Sequence, residues 1–192
     1  MATAEDILHY WQELGPDGWY KGSTAIDDEI RARFAPDWEA AARGDREGWL
    51  TDARGALAYI LLTDQFPRNI HRGEARAYAT DAQAVAAAEA ACDHGWDRDW
   101  PEPIRQFFYL PFMHAEDPDL QARCIEMFAT RMPETGADNL GHARAHAWVI
   151  DRFGRFPYRN PHLGRDSSPD EHDFLEAGGY RAALDAVGVN RP

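Results

Sequence analysis

Apolar residues recur along the chain at intervals of three and four, the spacing of amphipathic helices. Ile7, Tyr10, Trp11 and Leu14 share one face of a first helix. Thr3 caps it, Asp6 takes its third position, and Gly15-Pro16 stops it. A second segment starts near Asp27 and runs through Ile30 and Phe34, with Pro36 as a kink or restart and Gly44 as its end. The third, about Asp52 to Gln65, is apolar almost all round at Leu57, Tyr59, Ile60, Leu61 and Leu62. Such a helix belongs in the middle of a core.

Thr80-x-x-Gln83 reads as a capping box for an alanine-rich helix closing at Gly95. A short helix follows around Glu102 to Leu110, cut by Pro111. Asp117-Pro118, a capping residue before a proline at the first helical position, opens a helix that stops at Pro133. A long helix from about Asp138 to Phe153 carries Leu140, Ala143, Ala147, Ile150 and Phe153 on one stripe, with Gly154 as its C-cap. Ser168-Pro169-Asp-Glu171 opens one more, and a short tail carries Tyr180, Leu184 and Val187. About eight helices joined by short turns, with no period-2 run, predict an all-α fold of antiparallel hairpins. Nothing marks a linker, so residues 1–192 read as a single helical domain.

Composition agrees with the periodicity. Alanine occurs 32 times, against 19 for valine, isoleucine and threonine together, a bias towards helix. At 192 residues the chain can bury a core without a disulfide or metal. Cys92 and Cys124 are therefore expected to be reduced and buried. The net charge of -13 argues against nucleic-acid or anionic-membrane binding, which need positive charge to release counterions. The acidic N-terminus lacks a signal-peptide pattern, and no apolar run approaches the ~20 residues that span a bilayer. These features predict a cytoplasmic protein.

One motif occurs twice, each time after an apolar helix. The chain reads Asp64-Gln-Phe-Pro-Arg-Asn-Ile-His-Arg72 and later Gly154-Arg-Phe-Pro-Tyr-Arg-Asn-Pro-His-Leu-Gly-Arg165. Four arginines and no acid between positions 152 and 165 give that stretch +4, leaving -17 on the other 178 residues. Arginine forks and asparagine amides at helix ends suit carboxylate or phosphate groups. The same residues also serve as C-terminal caps and buried ties, so a structural role stands beside the functional one.

His114 and Glu116 follow an aromatic segment and precede a helix start, a workable acid/base pair near neutral pH. Glu116 or Asp117 can equally cap that helix. His142 and His146 lie four apart on the long helix, but Ala143-Arg-Ala145 between them lacks the glutamate of a helical zinc motif. No metal is expected, and His146 reads as a site histidine. Phosphate-loop, dinucleotide and nucleophile-elbow motifs are not found, so no cofactor is expected.

Three segments together resemble an uncharacterised bacterial family, domain of unknown function 924, from about Ile7 to Phe174. They are Leu61-Leu-Thr-Asp-Gln-Phe-Pro-Arg-Asn69, Leu110-Pro-Phe-Met-His-Ala-Glu116, and Phe153-Gly-Arg-Phe-Pro-Tyr-Arg-Asn160 with Leu163-Gly-Arg165. The resemblance implies an all-helical fold similar to a tetratricopeptide superhelix and no known reaction. It places the family's recurrent polar residues on Asp64, Gln65, Arg68, Asn69, Arg72, His114, Glu116, His146, Arg155, Arg159, Asn160 and Arg165. This chain has Ala115 where the family usually has serine, and Tyr158 where it often has histidine.

Three functional readings follow. In the first, the two Phe-Pro corners and the His114 segment converge on a small anionic metabolite. Asp64, Gln65, Arg68, Asn69, Arg72, Arg155, Arg159, Asn160 and Arg165 bind, and His114, Glu116 and His146 move protons. Chemistry there would be hydrolysis or group transfer, since no redox motif is present. In the second, a tetratricopeptide-like groove docks a partner peptide. In the third, the motifs only lock helix corners. The sequence leaves enzyme and binder both open, and a homodimer is compatible with each.

Overall fold

The computed structural model describes residues 1–189. All regular structure among them is helical, with no strand. Two compact units emerge, one formed by Met1–Pro111 and one beginning at Phe112. Cys92 and Cys124 are both free thiols and buried. No helix among the described residues is long and apolar enough to cross a membrane.

In the first unit, α1 (Ala4–Trp19) opens on the expected capping box: Thr3 accepts from the Asp6 N–H, and Asp6 accepts from the Thr3 N–H. The first helical stretch does stop at Gly15-Pro16: Gly15 is non-helical at φ 62° and ψ 179°, and a short second stretch restarts at Pro16 across this kink. Glycine supplies that positive φ without a Cβ clash. By contrast α2 (Thr24–Ala42) passes through Pro36 without a break. Ser23 rather than Asp27 marks its start.

The apolar segment continues further than its sequence suggests. α3 (Ala53–Ile60) widens into a single π-helical turn at Leu61–Gln65 and then resumes as α4 (Phe66–Ile70). Pro67 therefore does not stop the helix. A proline has no N–H to offer the carbonyl four residues back, and that carbonyl, on Thr63, accepts instead from the Thr80 hydroxyl. The same bond explains why the Thr80-x-x-Gln83 capping box is not made. Thr80 also accepts from the Trp38 indole, while the Gln83 amide donates to the Ala41 carbonyl. α5 (Asp81–His94) closes at left-handed Gly95 as expected.

α1 and α5 pack on α3, and α2 packs on α4. Their core is aromatic: Phe66 lies against Tyr10, Trp11 and Phe34, and Trp11 also meets Phe107 edge-on. Leu57, Tyr59, Ile60, Leu61 and Leu62 are all buried.

α6 (Leu110–His114) runs across the unit boundary. Pro111 lies in its first turn rather than cutting a helix. In the second unit, Asp117 caps α7 (Pro118–Arg131) by accepting from the N–H groups of Asp119 and Leu120. α7 packs on α8 (Ala137–Phe153), which ends at left-handed Gly154. The second Phe-Pro segment is a short 3-10 turn at Pro157–Arg159 followed by α9 (Asn160–Leu163). α10 (Pro169–Glu176) opens on a complete Ser168/Glu171 capping box, and α11 (Tyr180–Ala186) packs back on α8. The core of this unit joins Val149, Ile150, Phe156, Phe174 and Leu184.

Candidate functional site

The two copies of the motif lie in different units, and each has its own carboxylates. In the first, Asp64 is fully buried on the π turn. Arg68, one helical turn on, ion-pairs with Asp64 at 3.3 Å and Asp81 at 3.0 Å. It also donates to the Asp64 carbonyl, and Gln65 donates to the Asp64 carboxylate. Burial works against the Arg68 charge, but Asp64 and Asp81 outweigh it and hold the guanidinium more firmly protonated than usual. Asn69 and the Arg72 fork converge on Asp27 at 2.7–2.8 Å. Arg72 foremost, and Asn69 with it, hold the Asp27 carboxyl below its ordinary range. This corner joins α4 to α2 through polar groups that largely satisfy one another.

In the second unit, Glu116 organises the residues after α8. It accepts the Arg165 fork at 2.6 and 2.9 Å and the Phe156 N–H at 2.8 Å. Burial alone would raise the Glu116 carboxyl, but the Arg165 bonds, the Phe156 N–H and the nearby Arg159 charge lower it. Glu116 is therefore an ionised counter-ion at neutral pH. Arg155 forks onto Glu171 at 2.7 and 2.8 Å and donates to the Asp166 carbonyl. Buried Asn160 donates to Ser167 and Glu171, and its Oδ1 has no hydrogen-bond partner.

The remaining predicted residues surround Phe156. Arg159 is buried, lies 4.5 Å from the Phe156 ring centroid, and donates to the His114 carbonyl at 3.0 Å. His146 meets the same ring edge-on at 5.3 Å, and the His114 ring is 6.5 Å away. His146 Nδ1 lies 2.9 Å from the His142 carbonyl, which can only accept, so Nδ1 carries the proton and Nε2 the lone pair. Tyr180 bridges the two histidines of α8, 3.2 Å from His146 Nδ1 and 2.6 Å from His142 Nδ1. Among the described residues no group of three or more His, Cys, Asp or Glu is placed to hold a metal ion.

Burial pushes the His146 imidazole down to about 3, against the bond to the His142 carbonyl and with help from His114, Arg159 and His142. Below about pH 6.5 the unfolded chain takes up a proton that folded His146 refuses. Stability should therefore fall by about 1.4 kcal/mol per pH unit from that point downward, until the pH nears the folded value. Urea unfolding between about pH 6.5 and 4.5 checks this, because His146→Gln should lose that part of the slope. An equal slope in both proteins would refute the assignment.

Sequence reasoning found Glu171 only as a capping residue and missed the roles of Asp27, Asp81 and Tyr180. Asp27 lies 42 and 45 positions from Asn69 and Arg72, and no local pattern announces such a pairing.

Comparison with known proteins places the chain. None of the curated proteins matches it. A solved structure of a protein of unknown function from Agrobacterium tumefaciens shares 43% identity and superposes with a TM-score of 0.86, covering 91% of this chain and 97% of that one. Residues 7–179 match a family described as bacterial protein of unknown function. This chain belongs to that family, DUF924.

Proposed function

We propose that the second unit binds a small anionic metabolite beside Phe156, inside a cytoplasmic helical scaffold of tetratricopeptide type. Arg159 supplies the positive charge, and His146 accepts a ligand proton donor through Nε2. His114 is the second imidazole at the site. Arg155, Arg165, Glu116 and Asn160 hold the segment in shape, while Asp64, Gln65, Arg68, Asn69 and Arg72 do the same for their own corner.

One observation carries this reading. A neutral imidazole of defined tautomer lies close to a buried guanidinium, around one aromatic ring. That pairing suits a carboxylate or phosphate that also bears a hydroxyl, since Arg159 takes the charge and Nε2 takes the hydrogen bond. A bound anion would raise the His146 pKa by supplying the opposite charge. Proton transfer for hydrolysis or group transfer then becomes accessible to it.

Native mass spectrometry after purification in a volatile, phosphate-free buffer tests the proposal. The expected spectrum shows a reproducible small extra mass that disappears in His146→Gln and in Arg159→Lys, with both variants still folded by circular dichroism. An extra mass retained in both folded variants would sink it. A stoichiometric polypeptide in place of a small mass would favour the peptide-docking module instead.

A further inference from the structure

We infer that the first unit carries a separate binding site for a guanidinium cation, in the cavity where the start of α1 and the start of α3 face the Trp96–Pro101 segment. The cavity measures about 770 Å³ and is lined among others by Glu5, Trp49, Arg54, Trp96, Asp99 and Trp100. That volume is within the range of small-molecule sites. Three indoles, those of Trp49, Trp96 and Trp100, line it, and indole faces attract cations.

The protein already holds one guanidinium in this way. Arg54 forks onto Glu5 and lies 5.3 Å from the Trp100 ring centroid. The side chains of Arg54 and Glu5 are 55% and 63% exposed, so this solvent-screened pair is weak and can open readily. Carboxylate beside indole is the recognition element, and Arg54 demonstrates the fit. The same cavity is also lined by Trp96, stacked on His94 at 4.5 Å, and by Asp99. Asp99 makes no side-chain hydrogen bond or ion pair with any described residue.

Charge selects the sign of the ligand. Glu5, Asp52 and Asp99 face a single arginine in the lining. The start of α3 is a potential anion site, but the N–H groups of Arg54 and Gly55 there already donate to Asp52 at 2.9 Å. Gly55 also abuts the Trp49 carbonyl, where any Cβ would lie 1.9 Å from that oxygen. Two N–H groups of the helix start are thus already occupied, and Asp99 adds a carboxylate to the lining.

A guanidinium group can arrive on a free metabolite or on an arginine of a polypeptide, and one titration separates the two. The indole N–H signals of the protein are followed by NMR during addition of ethylguanidine, of a glycyl-arginyl-glycine peptide, and of inorganic phosphate. Ethylguanidine should shift the Trp96 and Trp100 signals. Asp99→Asn should weaken its binding about fivefold, and Arg54→Ala should strengthen it by removing the internal competitor. Both positions are exposed, so the variants should keep the wild-type fold and melting temperature. Tighter binding of the peptide assigns the site to a polypeptide arginine, and equal binding assigns it to a free guanidinium compound. Unshifted indoles, binding unaffected by Asp99→Asn, or phosphate shifting the same signals would each overturn the inference.

Discussion

Replacing Glu171 by alanine is expected to destabilise the protein by about 3 kcal/mol, because removing one partner of a buried pair leaves the other groups uncompensated. Glu171 is only 3% exposed and serves four donors at once: both nitrogens of the Arg155 fork, the Asn160 amide and the Ser168 N–H. The loss should lie at the lower end for such pairs, since Arg155 can regain water. Glu171→Gln keeps the shape and part of the capping box, so about half the loss is expected. Urea unfolding near neutral pH measures both. A Glu171→Ala midpoint equal to wild type would mean that this anchor does not hold the segment after α8.

The same residue sets a pH dependence. The Arg155 bonds foremost, then the Ser168 N–H and Asn160, bring the Glu171 carboxyl down to about 2 from an ordinary 4.5, against the opposing effect of burial. A depressed carboxylate contributes stability above its unfolded pKa and loses it as the pH falls towards the folded one. That contribution is fully present at neutral pH. It should disappear between about pH 4.5 and 2, below the range in which His146 begins to weaken the fold.

Arg68→Ala should cost about 3–5 kcal/mol, by the same reasoning applied to a more deeply buried carboxylate. Asp64 is fully buried and would lose the guanidinium next to it, as would Asp81. The compensating double variant, Asp64→Leu with Arg68→Met, should recover a substantial part of the loss, since an apolar pair needs no counter-charge. Thermal and urea unfolding of the three proteins decide the matter. A near-neutral Arg68→Ala would show that Asp64 is served adequately by its other contacts.

Together these two variants separate the anchoring role of the repeated motif from ligand binding. Arg155, Arg165, Arg68 and Arg72 all grip carboxylates of the chain itself, so their loss should be read first as instability. Arg159, which donates to the His114 carbonyl and whose charge helps lower the Glu116 pKa, and His146 are read by bound mass only in variants shown to be folded.

The helical class, the apolar α3, and the caps at Thr3, Asp117, Gly154 and Ser168 were legible in the sequence because each depends on neighbours within a turn or two. The prolines were misread for a related reason. A local rule ends a helix at Phe66-Pro67, yet the Thr80 hydroxyl satisfies the Thr63 carbonyl from 17 residues away and the helix continues through a π turn. The recurrence of arginine and asparagine after two apolar helices was also visible, as was the excess of positive charge between Arg152 and Arg165.

Only the tertiary structure decided what those arginines face. A guanidinium pattern is the same in sequence whether it awaits a ligand or grips Asp27, Glu116 or Glu171 from 45, 49 or 16 residues away. Ion pairing depends on distance in space, and the chain alone carries no record of that distance. The sequence by itself determined the helical class, the caps made within a turn, and the residues available for polar chemistry. Packing determined which of those residues neutralise one another, and which imidazole it leaves neutral beside a buried cation.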